Sequence, residues 1–378
     1  MRILSFLLLS FLFPLLAETR TVLWIGVDGF RHDYADIYQA KNLLALRGRG
    51  AGARTRPVTP SSTFPNFYSM VTGLTPDQHG IVAMHFYDRS MRARFDYNVN
   101  SDDGRFYRGN PLWNRVKTGT YFWPGSSAEI GGARPWRWFP YDSKTSHEEK
   151  IKTVLSWLAL PEAERPRLAM VYFADVDVAS HTYGVGTEET RAAVQKVDAS
   201  IGRLVEEALK VLPSLDIVVV SDHGMIDVKE SVDLAKEVNL DGFTVGGEFS
   251  MLMLYNSEPR RVEEVYLRLR NHDPRYKVVR RRNLPSPMSQ DLLGRIGDLV
   301  VVPTKKPILL YANLKPDQPE RSLPKAMHGY NSKMSEMRGI CYAAGPHVKG
   351  RDVHGVKNTA DVNRLIEKLL ELPATPRR

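Results

Sequence analysis

A single cysteine, Cys341, occurs in the 378 residues, so no intramolecular disulfide can staple the chain, and stability has to come from the core. That cysteine lies in the apolar run 339–344, which reads as a buried strand rather than a nucleophile's setting. After the first residues no stretch of about 20 apolar residues follows, so no stable membrane span is expected. Internal repeats and low-complexity tracts are missing. Nothing resembles a nucleic-acid-binding module with interleaved aromatics, which argues against a dedicated nucleic-acid polymer as partner. With 43% apolar and 25% charged residues, the composition excludes disorder and suits one large domain carrying a smaller inserted one.

Positive charge is in modest excess. The formal net charge of +9 can steer anionic substrates, but the basic clusters at 280–282, 305–306 and 377–378 are short, separated and read as solvated faces. At the start, Met1 and Arg2 precede an apolar run over 3–16 and then Ala17. This reads as a secretory signal, 1–17, cleaved after Ala17, which places the mature protein outside the cell or in the periplasm. A retained anchor is the alternative, and no cysteine near Ala17 permits a lipoprotein. Nothing in the sequence fixes an oligomeric state.

Short apolar runs, several of them rich in β-branched residues, at 21–27, 168–173, 217–220, 249–255, 298–302 and 339–344 read as buried strands. Amphipathic patterns at 148–160 and 188–212 read as helices between them. This alternation implies an α/β sandwich around a mostly parallel sheet. The segment 228–325 breaks the rhythm with strands, one helix near 261–270 and a Pro-rich stretch at 284–288, and reads as an inserted α+β subdomain. A closing helix over 358–372 leaves a short tail, 373–378.

Seven residues that can build a metal-assisted site fall where these runs end: Asp28, Thr63, Asp177, His181, Asp222, His223 and His328. In parallel sheets ligands bind beyond the carboxyl ends of strands, where Asp28, Asp177 and Asp222 fall. Carboxylate and imidazole are the ligands of hydrolytic zinc, and a hydroxyl among them can become an activated nucleophile, so the set suggests hydrolysis at phosphorus. Each residue also has a plainer reading. Asp28 could be a helix cap, Asp177 and His181 at i, i+4 a surface pair, Asp222-His223-Gly224 turn chemistry, and His328 a loop histidine. Thr63 could be the N-cap of a helix with Pro65 in its first turn; functionally, that helix start offers free N–H groups to phosphate oxygens, with Asn66 as an added donor.

Taken together the strings Val-Asp-Gly-Phe (27–30), Ser-Thr-Phe-Pro-Asn (62–66), Val-Thr-Gly-Leu (71–74), His-Gly-Ile (79–81), Tyr-Phe-Trp-Pro-Gly-Ser (121–126), Ser-Asp-His-Gly-Met (221–225) and His-Gly-Tyr (328–330) closely resemble the nucleotide pyrophosphatase/phosphodiesterase family of the alkaline phosphatase superfamily. The resemblance implies an alkaline-phosphatase-like fold and a catalytic phosphodiesterase domain over 18–372. It implies two zinc ions per chain, one on Asp177, His181 and His328, the other on Asp28, Asp222, His223 and the Thr63 oxygen. It makes Thr63 the nucleophile that forms a phospho-threonine, with Asn66 binding a non-bridging oxygen, and it matches Phe64, Tyr141 and Tyr172 to pocket aromatics, for which core packing is the alternative. The implied substrate is a small phosphodiester or nucleotide. Ala83 and Met84 depart from the family, whose nucleotide-cleaving members often carry Asn in that stretch, as does Ser62 where a Lys is common. A phosphodiesterase for phospholipid head groups or other alcohol diesters is therefore kept as an alternative, and a non-catalytic protein that binds phosphate-bearing ligands as a further one.

Overall fold

A seven-stranded sheet organises the chain in the computed structural model, which describes residues 19–285, 288, 291–312, 323–350, 353 and 355–374. The expected signal segment at 1–17 and the end of the tail, 375–378, lie outside the described residues. The sheet's strands are β1 (Val22–Val27), β2 (Ala51–Thr55), β3 (Thr118–Tyr121), β4 (Arg137–Phe139), β5 (Leu168–Phe173), β6 (Asp216–Val220) and, after four strands of a second sheet, β11 (Gly339–Ala344). Their order is β2-β11-β6-β1-β5-β3-β4. β1 pairs in parallel with β5 and β6, and β3 in parallel with β5 and β4, whereas β11 runs antiparallel to both β6 and β2. Six strands therefore share one direction, and their carboxyl ends face the same edge.

Alternation along β1 divides the core between the two faces of the sheet. Leu23, Ile25 and Val27 pack with Leu43 and Leu46 of α1 (Lys41–Arg49), and with Ile151 and Val154 of α3 (His147–Leu158). Ile201 and Leu204 of the 24-residue α5 (Glu188–Val211) complete that layer. Val22 and Trp24 face the other way, onto Phe67, Met70 and Val71 of α2 (Thr63–Thr72) and Ile366 of α7 (Val362–Leu369). Gly26 belongs to that second face because a β-carbon there would lie 2.9 Å from the Phe67 and Trp123 rings. Cys341 is buried in β11, in keeping with its reading as a strand residue.

The segment between β6 and β11 holds a separate antiparallel sheet of β7 (Thr244–Glu248), β8 (Met251–Tyr255), β9 (Tyr276–Arg280) and β10 (Leu299–Pro303) in the order β7-β8-β10-β9. It packs α6 (Pro259–Leu269) into its own core, where Leu254, Val265, Leu269 and Val301 meet. The expected strand at 249–255 begins two residues later, because Phe249 and Ser250 make the turn between β7 and β8. A two-residue pairing of Ala326–Met327 with Ile226–Asp227 then returns the chain to the main sheet, immediately before His328.

Candidate active site

Three loops and two helix starts converge at the carboxyl edge of the main sheet. Asp28 directly follows β1, and Gly29 after it takes φ +64°, where its missing side chain lets the backbone come against Asp177; a β-carbon would lie 2.9 Å from that residue's carboxylate. Asp222 and His223 follow β6, and both are completely buried. Asp177 and His181 occupy successive turns of α4 (Asp175–Tyr183), which begins just after β5, so the four-residue spacing does aim both side chains one way. His328 follows the short Ala326–Met327 strand. All six expected ligands thus reach one place, though 300 residues separate Asp28 from His328 in the chain.

Contacts among them are close. His223 Nε2 lies 3.0 Å from Asp222 Oδ2 and 3.4 Å from Asp28 Oδ1. His181 Nε2 lies 3.4 Å from Asp177 Oδ2, and His328 Nε2 is 3.9 Å from Asp177 Oδ1. Two tight clusters of donor atoms result, Asp28-Asp222-His223 and Asp177-His223-His328. The second differs from the expected Asp177-His181-His328 set: the His223 ring stacks on His328 at 3.8 Å and stands between the clusters, and His181 sits at the rim beside Asp177.

Backbone carbonyls set the tautomer of each imidazole. Nδ1 of His181 donates to Ala326 O at 2.8 Å, Nδ1 of His223 to Gly224 O at 3.0 Å and Nδ1 of His328 to Ser61 O at 3.2 Å. In the neutral ring this leaves every Nε2 lone pair facing the carboxylates. Asp177 Oδ1 and Asp222 Oδ2 are buried with no hydrogen-bond donor. Lone pairs confronting buried carboxylates repel unless a cation lies between them, so the donor set fits divalent metal ions.

The electrostatics carry the same imprint. Burial, and after it the Asp222 and Asp177 charges, holds the Asp28 carboxyl well above the usual carboxylate range. Burial likewise raises Asp177, against the opposing fields of His181 and His223. Burial opposes protonation of His223, but the adjoining Asp222 carboxylate outweighs it and raises that imidazole. His328 is pushed well below its ordinary value by burial, then by His223 and His181. A cation and a proton therefore compete for the same lone pairs.

Thr63 opens α2 at the edge of this cluster. Its Oγ1 lies 3.3 Å from His223 Nε2 and 3.5 Å from Asp28 Oδ1. Ser62, extended at φ −123° and ψ 158°, is the N-cap, so Thr63 is the first helical residue rather than the cap. Ser62 makes no side-chain capping bond, and the Phe64 N–H points at Met84 Sδ, 3.4 Å away, a weak acceptor that an anionic oxygen can replace. Asn66 is not part of this edge. Its Nδ2 donates to Pro60 O and Ser62 O, both at 2.9 Å, and its Oδ1 accepts from the Val58 N–H and the Thr359 hydroxyl. With its amide fully engaged and wholly buried, Asn66 has no donor left for a phosphoryl oxygen. The expectation that it binds one is corrected: Asn66 ties the loop before α2 to the C-terminal segment.

A cavity of about 710 Å³ opens over Thr63, Asp28, Asp177, His181 and His328. Phe64, Tyr141 and Tyr172 all line it. Tyr141 is 46% exposed and free to stack on a ligand, whereas Tyr172 is buried and its hydroxyl donates to Asp28 Oδ2, which makes it an orienter of that carboxylate. Phe122 joins the two, with ring centroids 5.0 Å from Tyr141 and 5.1 Å from Tyr172. It lies inside the Tyr-Phe-Trp-Pro-Gly-Ser string, so that motif carried a signal for it. Tyr97 and Glu248 also line the cavity without any motif to mark them. The Glu248 carboxyl is raised to about 7, by burial first, with the His181 and His223 fields opposing and Asp177 adding to the shift.

The model of the type I phosphodiesterase / nucleotide pyrophosphatase family matches residues 22–331. A Schizosaccharomyces pombe protein named as an uncharacterised pyrophosphatase/phosphodiesterase is 30% identical over 94% of this chain and 78% of its own length. Rat ectonucleotide pyrophosphatase/phosphodiesterase family member 1 is also 30% identical over 94% of the chain, which spans 41% of that longer protein. Among solved structures, murine ectonucleotide pyrophosphatase/phosphodiesterase 5 superposes with a TM-score of 0.87 at 24% identity, covering 95% of this chain and 97% of that one. An inactive threonine-to-alanine form of that murine protein has been solved in complex with AMP.

Proposed function

The chain belongs to the type I phosphodiesterase / nucleotide pyrophosphatase family, and from that premise we propose that it hydrolyses phosphodiester or pyrophosphate bonds of nucleotide-type substrates, with zinc, through a phospho-threonine on Thr63. The observation that carries this reading is the Thr63 hydroxyl, set at a helix start within 3.5 Å of both Asp28 and His223. Asp28, Asp222, His223 and the Thr63 oxygen would hold one zinc ion, and Asp177, His181 and His328 a second, with His223 near enough to both clusters to couple them. When bound, such ions lower the pKa of a coordinated hydroxyl or water and neutralise charge on the phosphoryl oxygens.

The side chains divide the remaining work. Thr63 Oγ1 attacks phosphorus in line, forming its O–P bond as the bond to the leaving group breaks. Its proton passes to the carboxylate side, where Asp28 Oδ1 accepts its hydrogen bond. The Tyr172 hydroxyl fixes Asp28 through the other oxygen, and the Phe64 N–H turns from Met84 to a phosphoryl oxygen. Tyr141 and Phe122 offer faces for the base. Water then cleaves the phospho-threonine and returns the hydroxyl.

Other proposals follow from the same reading. The catalytic domain spans 18–372, with 228–325 an insertion, and the protein works outside the cytoplasm; the names of the rat and murine relatives carry the prefix "ecto", and no described helix is long and apolar enough to cross a membrane. Acid quenching of the zinc-loaded enzyme during turnover, followed by mass spectrometry of the peptide containing Thr63, tests the mechanism. A phosphate adduct on Thr63 supports it, and turnover with no adduct at any quench time contradicts it.

A further inference from the structure

Two carboxylates that the chemistry above does not use line the cavity over Thr63, the exposed Asp102 and the more enclosed Glu248. Glu248 ends β7, and its Oε2 is buried without a hydrogen-bond partner. The turn that follows presses against the metal-ligand loop: Gly329, next to His328, takes φ +86°, and a β-carbon there would lie 1.9 Å from Ser250 Oγ. Leu310 N–H donates to Phe249 O at 2.6 Å and pins the same turn from the other side. Glu248 is therefore held in place from two directions, on the wall shared with Asp177, His181 and His328. An unpaired carboxylate costs free energy wherever it is buried, and one fixed this firmly has a consequence for what can enter.

The cavity's other charges decide the sign of that consequence. Among the described lining residues the one guanidinium is Arg134, which is paired with Glu129 at 3.1 Å and donates to Ser127 O. No other lysine or arginine lines the cavity among the described residues. A phosphodiester brings one negative charge to the reaction centre, and a phosphomonoester brings up to two. The metal ions would serve the first charge of diester and monoester alike; with no spare cationic side chain among the described lining residues for the second, Glu248 opposes it.

We propose that Glu248 is a specificity-determining residue that rejects dianionic phosphomonoesters and so biases the site toward singly charged diesters. The proposal rests on the hydrolytic reading above. On a protein wall partly open to solvent, one added charge near a dianion is worth roughly tenfold in selectivity.

Glu248→Gln removes the charge and keeps the shape, and the comparison is made near pH 8.5, above the value of about 7 to which burial raises this carboxyl. In the zinc-loaded enzyme the ratio of kcat/KM for a nitrophenyl nucleotide diester to that for nitrophenyl phosphate should fall about tenfold, mainly through a lower KM for the monoester. In a Thr63→Ala background, calorimetry should show phenyl phosphate binding about tenfold more tightly after Glu248→Gln, and a diester changing less than threefold. A merely structural role would move neither the ratio nor this difference in binding, and circular dichroism with thermal melting confirms that each variant is folded. A selectivity ratio within twofold of wild type, or loss of both activities in a folded protein, overturns the proposal. If wild type turns over neither substrate, the hydrolytic reading fails separately, and the binding comparison still decides the role of Glu248.

Discussion

The Thr63 hydroxyl oxygen lies 3.3 Å from His223 Nε2, and that imidazole stacks on His328 in the neighbouring ligand cluster. One ring therefore ties the position of the Thr63 hydroxyl to both groups of candidate ligands. Thr63→Ala should lower diester turnover by on the order of 10³-fold or more while zinc content and melting temperature stay close to wild type. Thr63→Ser should keep measurable activity, since it keeps the hydroxyl at the same helix start. Steady-state kinetics with zinc analysis check both, and an active alanine variant would remove Thr63 from the chemistry.

Asp28 supplies the pH test. Its carboxyl is raised by burial, by Asp222 and by Asp177, so the folded metal-free chain holds its proton to a higher pH than the unfolded chain does. The metal-free fold then loses stability as pH rises from the unfolded carboxylate pKa through the folded one. Asp28→Asn cannot undergo that loss. Melting of chelator-treated protein from pH 4 to 8 should show the Asp28→Asn variant gaining on wild type as pH rises, by on the order of 1 kcal/mol, while its zinc affinity falls. Parallel pH profiles for the two proteins would contradict the electrostatic account.

Asn66 is expected to act on stability. Removing its amide takes the partner from the Pro60 carbonyl and the Thr359 hydroxyl proton, and leaves Val58 N–H only its bond to Thr359 Oγ1 and the Ser62 carbonyl only its bond from the backbone N–H of residue 66. Asn66→Ala should cost roughly 2–4 kcal/mol in urea unfolding, and at temperatures where it is folded its kcat should stay within about tenfold of wild type. A variant of normal stability with kcat down by 10³-fold would restore Asn66 to the phosphoryl site.

A second network sits at the start of α4. Burial alone would raise the Asp175 carboxyl, yet bonds from His147 at 2.9 Å and Lys196 at 2.7 Å hold it well below the usual range. Its stabilising contribution is present above the unfolded carboxylate pKa and is lost as pH falls through the folded one. Asp175→Asn should cost about 2 kcal/mol near pH 7, with the difference from wild type shrinking below about pH 4. A cost independent of pH would assign the effect to packing.

What the sequence made legible follows from local chemistry. The central strands β1, β5 and β6 are almost wholly apolar runs because both of their faces are covered, and the candidate ligands sit next to them. Edge strands gave no such signal: β2 reads Ala-Gly-Ala-Arg-Thr and β4 is three exposed residues. Asn66 misled because its place in a motif is compatible with a bond to ligand or to backbone, and the Thr359 partner lies 293 residues away. Glu248 was invisible for a related reason. Its proximity to His328 depends on how the second sheet's β7–β8 turn packs against Gly329, a tertiary contact with no periodicity to announce it.

The most direct test of the central claim is a rate comparison on the zinc-loaded protein, using a nitrophenyl nucleotide diester and nitrophenyl phosphate, with chelated enzyme and Thr63→Ala as controls. The account predicts strong preference for the diester, abolished in both controls. Preference for the monoester, or diester turnover that survives either control, would contradict it.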